Sequence, residues 1–355
     1  MGQDVRRRFQ KIINFQTNGQ QTEDLGRGLV YRDLMLRLKC QPTLTAANNL
    51  TDGVQRGDGW GVVKLIEILA NNNQVIRSFS GNQLWWLNYF MFGVQPPVTP
   101  TLGDDDGAAG GTANPSIDVL LVLPFWMFRC VRPMDTALDS RVLSDLKIRI
   151  TWGTYTDIHD DASAWTSEPV LEVHSLESAN VKGPFSLQSI YGISRTITAD
   201  DDKFQIFLAV NDVYRGFLIN TTDAGVDEGD ILNNLKIKSG TTVFYDAPGA
   251  IIQQYDGWMH PGIPHPIGNL LNTAGAGPVM VTNAMNIYNK LQRSDSSNQA
   301  GWYFVDLVTD GYLTDAIDTY GFSEFYLECD VSVGAGTTKI DVLPIAITPV
   351  REKAA

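Results

Sequence analysis

The chain is short of positive charge, cysteine, histidine and long apolar runs, and each shortage closes off a class of function. Its 355 residues carry 27 Lys and Arg against 40 Asp and Glu, a formal net charge of −13. A duplex-binding protein displaces counterions with a cationic surface, so sequence-specific nucleic-acid binding is not expected; the excess acid serves solubility. Cys40, Cys130 and Cys329 are odd in number and widely spaced, which fits neither a disulfide framework nor a metal motif. Cys40 and Cys329 fall on the apolar side of alternating runs and are expected as buried thiols. The four histidines, His159, His174, His260 and His265, make no H-x-H or H-E-x-x-H. No G-x-S-x-G, P-loop or Rossmann fingerprint appears either. The expectation is a protein that is not an enzyme and holds no cofactor. The densest apolar stretch, "IDVLLVLPFWMF" (117–128), is too short to cross a bilayer and contains Asp118 and Pro124. No apolar run of signal-peptide length follows Arg6, Arg7 and Arg8, so synthesis in a reducing cytosol is expected.

Four weaker patterns are read as loops. "HPGIPHP" (260–266) is a rigid turn or, alternatively, a two-histidine metal site. "GDDDG" (103–107), "HDDAS" (159–163) and "ADDDK" (199–203) read as solvated tips, with calcium as the alternative; none has the ligand spacing of an EF-hand loop.

What is present is β-structure, written twice. Apolar residues make up 43% of the chain, charged residues only 19%, and glycines number 32, the mixture of a turn-rich all-β protein. "ALDSRVLSDLKIRI" (137–150) and "AIDTYGFSEFYLEC" (316–329) share Ala, Asp and Ser in register. "VYRDLML" (30–36) matches "VYRGFLI" (213–219), and "VIRSFSGNQL" (75–84) matches "VFYDAPGAII" (243–252) in its valine and in the glycine six residues later. Long Gly/Pro loops follow at 95–116 and within 256–278. Four landmarks in the same order argue for two copies of one fold.

Period-two alternation supplies the strands. Leu146, Ile148 and Ile150 alternate with Lys147 and Arg149; Leu34, Leu36, Leu38 and Cys40 alternate with Met35, Arg37 and Lys39. Phe325, Leu327, Cys329, Val331 and Val333 do the same in the second copy, and 62–79 reads as a hairpin turning at Asn71-Asn72-Asn73. The predicted fold is all-β, two tandem eight-stranded jelly-roll barrels with a few short helices. The division is 1–28 as an N-terminal arm, 29–185 as the first barrel and 186–355 as the second.

Two segments depart from the β pattern. "GNQLWWLNYFMFG" (81–93) predicts a helix apolar on all sides, with Trp85, Trp86 and Phe92 as core or interface aromatics. "DVRRRFQKIINF" (4–15) sets Val5, Phe9 and Ile12 or Ile13 on one helical face, with Arg6, Arg7, Arg8 and Lys11 elsewhere. That arm reads either as a contact with lipid head groups or packaged genome, or as a helix packed on its own barrel. The shared Asp and Ser of the opening pair read as turn-shaping residues bonded to backbone.

The duplication, "SGNQLWWLN" (80–88) after a hairpin, and "VLPFWMFRCVRPMDTALDSRVLSDLKIRI" (122–150) together resemble a known family. It is the double jelly-roll major capsid proteins of tailless icosahedral DNA viruses, the tectivirus and adenovirus lineage, and within it the membrane-containing phage type. The resemblance implies a homotrimer of pseudo-hexameric outline that tiles a virion shell over an internal membrane. Its implied partners are neighbouring trimers, penton or minor capsid proteins, and lipid through Arg6, Arg7, Arg8 and Lys11. By the same resemblance, loops 95–116 and 256–278 would face outward or cap the trimer. In one respect the sequence departs from the family: 249–262 runs into proline, so no second aromatic helix is expected. The alternative functions are a two-jelly-roll glycan-active hydrolase or a lectin-like binding protein.

Overall fold

The alternating runs become central strands because their apolar halves can be buried only against a second sheet. The computed structural model describes residues 5–44, 59–93, 96, 116–158, 162–183, 185–259, 301–308 and 311–348. The first barrel comprises β1 (Val5–Asn14), β2 (Gln20–Asp24), β3 (Val30–Leu44), β4 (Val63–Ala70) and β5 (Gln74–Phe79), then helix α1 (Gly81–Phe92). It continues with β6 (Ile117–Pro124), the two-residue β7 (Leu138–Asp139), β8 (Leu146–Trp152) and β9 (Ala162–Ser178). A linking strand, β10 (Leu187–Tyr191), leads to the second barrel: β11 (Ile193–Ile197), β12 (Asp201–Phe207), β13 (Val213–Asp223), the short β14 (Val226–Asp227), β15 (Leu232–Ser239) and β16 (Thr242–Pro248). Helix α2 (Gly249–Met259), β17 (Trp302–Asp306), the short β18 (Ile317–Asp318), β19 (Tyr326–Val331) and β20 (Thr338–Thr348) complete it.

The strand pairings repeat element for element. In the first barrel β1, β9, β3 and β6 lie side by side, as do β2, β8, β4 and β5. In the second, β11 pairs β20, β20 pairs β13 and β13 pairs β17, while β12, β19, β15 and β16 form the facing sheet. Counted along each barrel, these are strands 1-8-3-6 and 2-7-4-5, the two sheets of a jelly roll. Strand β10 stitches the barrels together, antiparallel to β20 through Leu187–Ile190 and parallel to β5 at Arg77 and Ser78.

The opening landmarks fall at one joint in both copies. Leu138 and Asp139 pair with Tyr31 and Val30; Ile317 and Asp318 pair with Tyr214 and Val213. The Ser140 hydroxyl donates to the Leu29 carbonyl at 2.6 Å, and the Thr319 hydroxyl to that of Asp212 at 2.8 Å. Asp139 accepts from the Arg141 amide and Asp318 from the Tyr320 amide. The Tyr31 and Tyr214 hydroxyls each reach back five residues, to the carbonyls of Gly26 and Ala209. The shared Asp139 and Asp318 therefore shape turns, as the sequence indicates, with the Ser140 and Thr319 hydroxyls beside them; the identical serine Ser144 bonds the Asn71 side chain instead.

Burial follows the alternation closely. Leu34, Leu36, Leu38, Leu146, Ile148 and Ile150 are buried, and so are the free thiols Cys40 and Cys329. Burial pushes the Cys329 thiol up to about 12. Asn71, Asn72 and Asn73 all adopt positive φ and turn β4 into β5.

Two expectations are corrected. Residues 5–14 form no helix; they are the first strand of barrel one, antiparallel to β9, with Ile13 in the core opposite Leu171. A bulge between Phe9 and Lys11 inserts one residue and shifts the alternation. Phe9 and Ile12 thus share a face three residues apart, which imitates a helical spacing. Within the segment 1–28 expected as an arm, the described residues 5–28 are not separate, since β1 and β2 belong to the barrel. The second correction is α2, which occupies 249–259, the position of α1, before Pro261 can interrupt it. Loops 95–116 and 256–278 lie outside the described residues, except positions 96, 116 and 256–259, as do His159, His260, His265 and the cluster at 103–107.

Candidate assembly interface

Helix α1 begins at a capping box in which Ser80 accepts from the Gln83 amide and Gln83 accepts from the Ser80 amide. It ends at Gly93, whose φ of 67° sits in the left-handed region. Leu84 and Leu87 are buried against barrel one. The opposite side of the helix meets barrel two: the Trp86 ring stacks on Trp302 at 5.3 Å, and Phe90 stacks on Phe304 at 5.0 Å. Such pairs contribute roughly 0.5–1.5 kcal/mol each beyond the area they bury. An all-round apolar helix thus has a physical reason, because it is the shared core of two barrels.

Two buried guanidinium groups flank this joint. Arg215, in the bulge of β13, lies 3.9 Å from the Phe128 ring centroid and 3.6 Å from Asp306. Burial raises the Asp306 acid while Arg215 opposes that shift. Arg77 stands over Phe125 at 5.5 Å and donates to Gln188 beside the linking strand's start at 3.4 Å; burial lowers it to about 9. A cleft of 570 Å³ borders the joint. Among its charges, Lys64 pairs with Asp157, Asp227 accepts from Trp302 and Asn220, and Asp341 bonds Ser194 beside Lys339. It is a hydrogen-bonded seam without a nucleophile–base pair. Among the described residues no group of three or more His, Cys, Asp or Glu is placed to hold a metal ion, and no helix is long and apolar enough to cross a membrane.

The same sheet face is covered in one barrel and bare in the other. In barrel two, Leu343, Leu218 and Phe304 form one row across the sheet, and Asp341, Asn220 and Trp302 the next. The corresponding rows of barrel one are His174, Met35 and Val122, then Glu172, Arg37 and Leu120, extended by Phe9 and Ile12 on β1. Leu218, Trp302, Phe304 and Leu343 are buried under barrel one. Phe9 is 56% exposed, Ile12 50% and Leu120 37%. Arg37, Asp118, Glu172 and Lys39 form an ion-pair network on this open face. At the other end of the chain, Phe207, Val243 and Phe244 are exposed on the outer sheet of barrel two, and Ile251 and Tyr255 on α2.

The residues expected to mediate contacts are distributed as follows. Trp85 is buried, Trp86 is half-buried in the inter-barrel stack, and Phe92 is exposed. Arg6, Arg7 and Arg8 are exposed on β1; Arg8 pairs with Glu177 at 3.3 Å and Lys11 with Glu23 at 3.3 Å. Trp302 and Phe304 give no sequence signal, since nearly every residue of β17 is buried and the run "WYFVD" has no alternation. Glu177, fully buried, accepts from Gln10 at 2.9 Å and anchors β1 from within the barrel.

No protein-family model matches the chain, and no curated protein does. Solved structures match over nearly its full length. The major capsid protein of Sulfolobus Turreted Icosahedral Virus superposes with a TM-score of 0.65 at 10% identity, covering 97% of this chain and 96% of that one. The major capsid protein of bacteriophage PM2 gives 0.57 at 11%, covering 99% and 100%. The PBCV-1 capsid chain gives 0.55 at 10%, covering 97% and 94%. The chain therefore has the double jelly-roll fold of these proteins.

Proposed function

We propose that the protein is the structural major capsid protein of an icosahedral virion, resident in its shell, with no enzymatic role. The observation that carries the reading is the unequal treatment of two equivalent faces. Barrel one covers the β20–β13–β17 sheet of barrel two with α1, and the equivalent β9–β3–β6 sheet of barrel one stays open. A second copy of the chain can fill that face by repeating the internal contact, α2 and its neighbouring sheet standing where α1 stands. The contact is heterologous, so it closes into a ring when the rotation fits. Six like barrels from three chains give the pseudo-hexameric trimer that would tile the shell beside neighbouring trimers and minor proteins.

Light scattering after size exclusion should give about three times 39.2 kDa for the wild type. Phe9→Asp and Tyr255→Asp, on the two complementary surfaces, should each yield folded monomers. A monomeric wild type, or trimers that survive both substitutions, would refute the arrangement.

Arg6, Arg7 and Arg8, side by side at the start of β1, extend the proposal to an anionic surface beneath the shell. Flotation of the assembled protein with phosphatidylglycerol vesicles should weaken at raised salt and in the double variant Arg6→Glu, Arg7→Glu. Unchanged flotation would remove lipid contact from the reading.

A further inference from the structure

Asn88 and Asp256 are each the eighth residue of their helix, after the shared glycines Gly81 and Gly249. Asn88 grips an edge strand by both backbone groups of one residue: its Oδ1 accepts from the Val122 amide at 2.8 Å, and its Nδ2 donates to the Val122 carbonyl at 2.7 Å. It also donates to the Leu84 carbonyl at 2.8 Å. Phe304 takes the place of Val122 in barrel two, and Asp256 Oδ2 accepts from its amide at 2.9 Å. Asp256 is 2% exposed. Where Asn88 presents an amide donor to the strand carbonyl, an ionised carboxylate could only accept. A carboxylic acid supplies that donor.

We propose that Asp256 is an acid doing an amide's work: in the native fold it keeps its proton and clasps α2 to β17 as Asn88 clasps α1 to β6. Loss of the proton opens half of the clasp beneath Trp302 and Phe304, the residues that carry the joint between barrels. The surroundings favour the neutral form. From β17 the facing charge is Asp306, itself partnered by Arg215; β16 contributes the Tyr245 phenol and α2 its own Tyr255. From β15, Leu232 and Leu235 share the core with Ile252 of α2. Burial first, and then the Asp306 carboxylate, raise the Asp256 acid well above the usual range, against the pull of the Phe304 amide.

The direction of the pH effect follows. The unfolded chain releases this proton above about pH 4, whereas the native chain holds it. Stability from the neutral acid is complete below that pH and declines as pH rises toward the native value. Denaturation of the full chain should therefore be followed against pH for the wild type, Asp256→Asn and Asn88→Asp. Between the unfolded and native values, the ratio of the wild-type unfolding constant to that of Asp256→Asn should grow about tenfold per pH unit. The infrared carbonyl stretch of a protonated carboxyl should be present in the wild type at neutral pH and diminished in Asp256→Asn. Should that variant fail to fold, Asn88→Asp decides, because it should import the same dependence into barrel one. Profiles parallel to wild type in whichever variant folds would overturn the proposal. The test does not depend on the capsid reading.

Discussion

Replacing Trp302 with alanine is expected to cost about 3–5 kcal/mol and to split one calorimetric transition into two. The side chain is 2% exposed, stacks on Trp86 of the other barrel, and donates from Nε1 to Asp227 at 3.0 Å. Truncation therefore empties a large volume at the joint and leaves the Asp227 oxygen without one of its donors. Barrel two retains a separate core around Tyr214, Phe217, Phe325 and Leu327. Barrel one shares its core with Leu218, Trp302, Phe304, Leu343 and Ile345. The loss should fall on their coupling first. An unchanged melting temperature with a single transition would show that the Trp86–Trp302 stack contributes no stability to the joint.

A second large effect is expected from the smallest residues. Gly81→Ala and Gly249→Ala should each destabilise by about 3 kcal/mol, the upper end of overpacking costs. A methyl group on Gly81 would overlap the Trp60 carbonyl oxygen and approach that of Val63 to 3.0 Å; on Gly249 it would overlap the Leu232 carbonyl oxygen. These neighbours are backbone, which cannot rotate away as a flexible side chain can. The sign is informative, because alanine within a helix otherwise gains roughly 0.5–1 kcal/mol over glycine. Matched losses at both positions, measured by urea denaturation, would confirm that the duplicated glycine seats α1 against the entry to β4 and α2 against the start of β15. A neutral or stabilising result at either site would contradict the close approach.

The parts of the fold legible in the sequence were those fixed by short-range physics. Strand alternation at 34–40 and 146–150 and the turn at Asn71-Asn72-Asn73 need only neighbouring residues. The Ser140 and Thr319 joints were visible because duplication printed the same turn chemistry twice. Strand β1 was misread because one bulged residue gave Phe9 and Ile12 a helix-like spacing. Helix α2 was missed because Gly249 and Pro261 bracket a run of weak propensity whose helicity depends on docking against β17. Of the interface, Trp85 and Trp86 could be picked out by composition, but Trp302 and Phe304 could not.

The amino-acid sequence by itself determined that this protein is two β-barrels of one kind, acidic, without a catalytic motif. Repetition, alternation and turn residues are local properties that survive without coordinates. Only the tertiary structure decided which faces meet. Whether a half-apolar sheet is core, joint or open surface depends on what stands opposite it, and that partner is more than 200 residues away for Trp86 and Trp302 (302 − 86 = 216). The same holds for Asp256, buried against the Phe304 amide of a strand that the sequence does not place beside it.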